Sequence, residues 1–212
     1  LKHTVQAADP LSKARACRIE LERGVIETPV FMPVGTFATV KTLSSIDVDN
    51  LGAQIMLGNT YHLMMRPGPE VFKRVGGIHN FMNWKKPVLT DSGGFQIFCL
   101  PNSRKITEQG AIFRSYTDGK LILLSPESSI EMQQAINSDI MMVLDECVPS
   151  TSPLEELKRA MELTHRWALR SLAAHKHQHQ SLFAIVQGGT DLKLRQTSAQ
   201  FLTQHPFDGF AI

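Results

Sequence analysis

No run of apolar residues in this 212-residue chain is long enough to cross a bilayer. The opening LKHTVQAADP also lacks the pattern of a signal peptide. Both absences argue against a membrane partner. Cysteine is scarce, with Cys17, Cys99 and Cys147 odd in number, far apart and without a CxxC pair. That excludes a disulfide framework and points to a reducing compartment, the cytoplasm. Charge of one sign is lacking too, since 22 basic and 20 acidic residues leave a net +2. Such a balance does not by itself announce nucleic acid. No GxGxxG fingerprint follows the first apolar strand, which argues against a dinucleotide fold. What remains is ordinary globular composition, 42% hydrophobic and 20% charged, in a chain long enough to bury a core.

Short apolar runs recur, each ending in small or polar residues. They cover 30–34, 54–57, 88–89, 139–144, 182–186 and 209–212, the last cut by the chain end. Helical segments are predicted between them at 44–51, 69–75, 126–137 and 153–175. Gly76 is placed as a C-cap, Ser125 as an N-cap before Pro126, and Ser152 with Glu155 as a capping box. Leu154, Leu157, Met161, Ala168 and Leu172 mark one buried face of the longest helix. Residues 111–116 and 121–124 flank Asp118-Gly119, a hairpin insertion. Apolar strands alternating with helices imply an α/β fold with a parallel sheet covered on both faces. A (β/α)₈ TIM-type barrel is favoured over an open sheet, because polar ends follow five strands: Gly35, Asn59, Asp91, Asp145 and Gln187. The chain offers about six of the eight strands, so a fragment of a longer protein is expected.

The stretch from 88 to 96, VLTDSGGFQ, carries the densest chemistry. A buried strand there delivers a carboxylate (Asp91), a hydroxyl (Ser92), two glycines (Gly93 and Gly94) and a ring (Phe95). Glycines admit close backbone approach and offer unhindered N–H groups. The acid can exchange a proton, and the ring can stack on a base or sit in the core. His175, His177 and His179 alternate with polar residues as at a solvated helix end, more than as a metal site. Arg104, Lys105 and Arg114 suit either phosphate contact or a solvated face.

FMPVGT (31–36), LGNTYHLMMRPG (57–68), LTDSGGFQ (89–96), RKIT with FRSYTDG (104–107 and 113–119), LDEC (144–147) and IVQGG (185–189) occur in that order. Together they resemble the tRNA-guanine transglycosylase family, of bacterial type, from about residue 24 onward. The resemblance implies a barrel with a zinc-binding insertion, acting on tRNA. The reaction exchanges an anticodon guanine for a 7-deazaguanine through a covalent ribosyl intermediate. By the same resemblance Asp91 is the acid/base group, and Ser92, Gly93, Gly94 and Phe95 hold the heterocycle. Asp145 and Gln187 read the base, Asn59 meets the ribose, and Cys147 narrows the pocket for the aminomethyl base preQ1 over queuine. A homodimer is implied as well. The zinc ligands and the nucleophilic aspartate of the family match nothing in these residues. Residues 1–212 are therefore expected to be the N-terminal part of one barrel domain, without metal and inactive alone. Two other readings remain open: a glycoside hydrolase using Asp91 and Asp145, and a non-catalytic RNA-binding subunit.

Overall fold

The computed structural model describes residues 1–100, 104–176 and 179–212. Three antiparallel strands open the chain: β1 (Lys2–Ala8), β2 (Arg15–Leu21) and β3 (Gly24–Thr28). Then follow β4 (Val34–Gly35), α1 (Ser45–Asn50), β5 (Met56–Gly58), α2 (Thr60–Met65), α3 (Pro69–Val75), α4 (Ile78–Met82) and β6 (Val88–Thr90). Next come α5 (Gly94–Phe98), β7 (Arg104–Ile106), β8 (Ala111–Arg114), β9 (Leu121–Leu124) and α6 (Pro126–Ile136). The chain continues through β10 (Ile140–Met142), α7 (Leu154–Ala174), β11 (Ser181–Ile185), α8 (Leu192–Leu202) and β12 (Gly209–Ala211).

Six strands form the central sheet in the order β12-β11-β10-β6-β5-β4, every pair parallel. That order never reverses along the chain, unlike a doubly wound sheet, whose order turns back at a switch point. The sheet is nonetheless open. Among the described residues β4 and β12 are edges that do not meet, so the structure shows a parallel α/β sheet and no closed barrel. Six strands fall short of the eight that closure takes.

Alternating side chains of the sheet serve two layers. Val88 packs with Met56, Phe72, Ile78, Trp84 and Ile136 beneath the helices. Leu89, its neighbour in sequence, packs with Ile26, Ile55 and Ile140 on the opposite face. Ile26 belongs to β3, so the opening antiparallel sheet covers one side of the parallel one. The expected runs did not include this opening sheet. All of β1 is exposed, so it has no buried side to impose an alternating pattern.

Asp139, just before β10, ties the lower end of the sheet together. Its Oδ1 accepts from Arg23 Nη1 at 3.0 Å, and its Oδ2 accepts from Val88 N–H at 2.8 Å. His79 Nε2 stands 3.1 Å from the same Oδ2. Burial alone would raise this carboxyl, but the contacts from His79, Val88 and Arg23 outweigh it and hold it below its ordinary value.

The insertion is a three-stranded sheet, β7-β8-β9, one strand more than the predicted hairpin. It is bound to α7: Arg166 grips Glu108 through two bonds of 2.8 and 2.9 Å, and Trp167 Nε1 donates to Glu108 C=O at 2.9 Å.

Helix ends follow local chemistry. Ser125 Oγ accepts from Ser128 N–H at 3.2 Å with Pro126 in the first turn, and Gly76 closes α3 at φ +81°. The capping box predicted at Ser152 and Glu155 does not form. Pro153 itself takes the N-cap position with extended backbone (φ −54°, ψ 147°), which leaves Ser152 one residue outside. In that helix Leu157, Met161 and Ala168 are buried, whereas Leu154 is 54% exposed in the first turn. No helix among the described residues is long and apolar enough to cross a membrane.

Candidate functional site

Asp91 leaves the end of β6 into a turn made by its own neighbours. Its Oδ1 accepts from Thr60 N–H at 2.8 Å and Gly93 N–H at 3.1 Å. Its Oδ2 accepts from Gln96 Nε2 at 3.1 Å and from Asn59 Nδ2. Thr60 Oγ1 donates to the Asp91 carbonyl. Burial drives the Asp91 carboxyl above its ordinary 3.8, against the pull of those four donors.

Asp145 lies past the end of β10, the neighbour of β6, and is 7% exposed. Its Oδ2 accepts from Gln187 Nε2 at 2.8 Å and Cys147 Sγ at 3.2 Å. Its Oδ1 accepts from Ser92 Oγ at 3.1 Å. This carboxyl is also raised, first by burial and further by the negative charge of Asp91. The Cys147 thiol is pushed up by burial and by Asp145, so it stays protonated and donates. Gln187 is fixed by its own backbone N–H, which donates to Ser198 Oγ at 3.1 Å. Ser198 meets His165 Nε2 at 2.9 Å, and burial lowers that imidazole to about 4.

The structure thus brings Ser92, Asp145, Cys147 and Gln187 into one bonded group, and joins Asn59 to Asp91. Ser92 links the two groups, being adjacent to Asp91 and bonded to Asp145. Phe95 points outward at 59% exposure, so it is not a core residue. The glycine amides correct an expectation. Gly93 N–H is engaged by Asp91 Oδ1, and Gly94 N–H by Ser92 Oγ at 3.2 Å, so neither is held open for a ligand. Glycine is required here for other reasons. Gly93 has φ +86°, a left-handed conformation, and a Cβ at Gly94 would stand 2.7 Å from the Asp145 carbonyl and 2.8 Å from its Oδ1. Gly94→Ala is therefore expected to lower stability by about 1–3 kcal/mol through overpacking. Urea denaturation checks this; an unchanged midpoint would show that Asp145 yields freely.

Three contributors had no role assigned from sequence. Thr60 and Gln96 both bond Asp91, and the signal was their presence inside the LGNTYHL and DSGGFQ motifs. His62 is the third, set between the tilted ring of Phe37 (ring centroids 5.0 Å) and the edge-on ring of Tyr116 (6.2 Å). Burial lowers its imidazole while the charge of Asp91 works in the opposite direction. Arg104 is committed to α5, donating to the Ile97 carbonyl at 3.0 Å beside the Phe98 ring, and Arg114 donates to the Gly119 carbonyl at 3.1 Å. His177 lies outside the described residues, and His179 Nε2 meets Asn137 Oδ1 at 3.1 Å. Among the described residues no group of three or more His, Cys, Asp or Glu could hold a metal ion.

Residues 9–212 match the family model described as Queuine tRNA-ribosyltransferase. A protein of Pseudoalteromonas atlantica named Queuine tRNA-ribosyltransferase is 51% identical over 200 residues, covering 94% of this chain and 54% of that protein. One of the same name from Caldanaerobacter subterraneus is 50% identical over 213 residues, covering 100% and 57%. A third, from Symbiobacterium thermophilum, is 53% identical over 205 residues, covering 96% and 51%. The chain spans about half the length of the curated relatives it matches.

Proposed function

The chain belongs to the queuine tRNA-ribosyltransferase family, and from that premise we propose that it supplies the base-reading part of a tRNA-guanine transglycosylase. The reading rests on one observation above all. Two carboxyls, half-buried Asp91 and buried Asp145, both raised by desolvation, follow adjacent parallel strands, and Asp145 is bonded to a carboxamide from the next strand.

In this reading a guanine is turned out of the anticodon stack, since its reacting atoms are unreachable while stacked. The purine edge enters at Asp145 and Gln187 and exchanges their mutual bond for bonds to itself. Asp145 accepts from the ring N–H and the exocyclic amine, and Gln187 meets the carbonyl edge with its donor. Ser92, Gly93 and Gly94 form the wall beside the base, and exposed Phe95 stacks on its face. Asn59, bonded to Asp91, faces the ribose. Burial raises the Asp91 carboxyl above its ordinary value, which suits a group that gives a proton to departing guanine and takes one from the incoming base. A carboxylate from the longer protein displaces guanine, forming a covalent ribosyl intermediate that the 7-deazaguanine then resolves.

The sequential strand order supports completion of an eight-stranded barrel by the longer protein, with residues 1–212 as its N-terminal part. The zinc that the family resemblance implies would be held by residues outside this chain, and no step above passes through it. A homodimer in the cytoplasm completes the reading. The test is exchange of labelled guanine into tRNA by the full-length protein. Exchange supports the assignment, and release of sugar from an RNA-free glycoside in its place would transfer it to a hydrolase.

Cys147 decides the incoming base. Its thiol donates to Asp145 at 3.2 Å, and in this reading a side chain beside the base-reading carboxylate favours the small aminomethyl group over the bulkier queuine. In competition, preQ1 should be incorporated in preference to queuine. Queuine incorporated equally well would remove Cys147 as the selector.

A further inference from the structure

Gln133 lies on α6 one turn after Ser129, and both side chains are fully buried. The Gln133 carboxamide reaches between β6 and β10. Met142 N–H donates to its Oε1 at 2.9 Å, and its Nε2 donates to the Met142 carbonyl at 2.9 Å. Those are the two backbone groups that an adjoining strand would ordinarily satisfy. Thr90 Oγ1 also donates to Oε1, at 3.0 Å, and the second Nε2 hydrogen goes to Ser129 Oγ at 3.2 Å. A carboxamide has two donors and two acceptor lone pairs. All four are used.

Backbone pairing stops where this side chain enters. β6 and β10 are bridged only through Leu89 and Ile140, whereas β5 and β6 pair over three residues, as do β10 and β11. The two loosely joined strands are the ones that deliver Asp91 and Asp145. A second connection runs from the same helix to the loop: Ser129 Oγ donates to the Ser92 carbonyl at 2.8 Å, and Ser92 Oγ donates to Asp145. One buried hydrogen-bonded chain therefore joins Gln133, Ser129, Ser92 and Asp145.

We propose that Gln133 and Ser129 are positioning residues for the base site. The Gln133 amide stands in for a strand peptide between β6 and β10, keeps their carboxyl ends apart, and sets the spacing of Asp91 and Asp145. That this spacing suits a purine rests on the function proposed above; that the amide sets the spacing does not. A Glu at 133 would turn an acceptor toward the Met142 carbonyl, and a Met would leave Met142 unpaired, so neither reproduces the wedge.

The experiment uses the full-length protein with Gln133→Met and Ser129→Ala, the second being the milder change. Crystal structures give the Asp91–Asp145 carboxyl separation, and kinetics give KM for guanine and kcat for exchange. A shift of about 1 Å is enough to cost on the order of a hundredfold in rate when it misplaces reacting groups. For Ser129→Ala, which frees the Ser92 carbonyl and one hydrogen of the Gln133 amide but leaves both bonds to Met142, KM for guanine should rise roughly tenfold with a smaller change in kcat. Gln133→Met should alter the carboxyl separation measurably. An unchanged separation in both variants, or lowered melting temperatures with unchanged KM, would overturn the proposal and leave a purely structural amide. If wild-type protein exchanges no guanine, the function fails, while the crystallographic separation still decides the wedge.

Discussion

Asp91→Asn in the full-length protein is expected to slow guanine exchange by about 10²–10⁴-fold, the usual contribution of a positioned acid/base group. The fold should survive. Asn59 and Gln96 meet Asp91 through amides that can rotate to present oxygen to an Asn at 91. Stability also moves in a direction that separates chemistry from folding. The Asp91 carboxyl is raised by burial above its ordinary 3.8, so the folded state favours its protonated form. Its stabilising contribution is complete below 3.8 and is lost as pH rises through the raised value. Asn carries no such loss. At neutral pH the variant should melt no lower than wild type, and the two should converge in acid. A variant that exchanges guanine at the wild-type rate would remove Asp91 from the chemistry, whatever its melting temperature.

Asp139→Ala should produce the largest loss of stability, about 3 kcal/mol, because it takes the acceptor from the buried Val88 N–H and the carboxylate from a partly exposed Arg23. The pH dependence runs opposite to that of Asp91. Asp139 is held below its ordinary 3.8, so its contribution is present above that value and is lost as pH falls through the lowered one. Chemical denaturation of both proteins should show a wide gap at neutral pH that narrows below about pH 3.8. A gap that stays constant into acid would mean that Asp139 acts through packing rather than charge.

The parallel strands were legible because each is a short apolar run ending in a polar or small residue. Residues 88–89 and 182–186 recur as β6 and β11 within a residue or two. What was hidden has physical reasons. α5 is five residues long and begins inside the Gly-Gly pair, where propensity argues against any helix. At α7 a capping box was inferred from spacing, but Pro153 occupies the cap. The identities of Asp91, Asp145 and Gln187 were visible as polar ends of strands, and the ordered motifs carried their expected roles. Their mutual bonding was not visible, since Ser92 to Asp145 spans 53 positions and Asp145 to Gln187 spans 42. Gln133 was invisible for a different reason. It sits on a helix face where a glutamine is expected to face water, and only coordinates reveal that it is wholly enclosed.

The amides of Gly93 and Gly94 are already bonded to the side chains of Asp91 and Ser92. A turn knitted in this way before any visitor arrives has little freedom left to surrender. In the function proposed above, the conformational cost of recognition would then fall on the RNA, which would pull one nucleotide out of line to reach a surface that is already set.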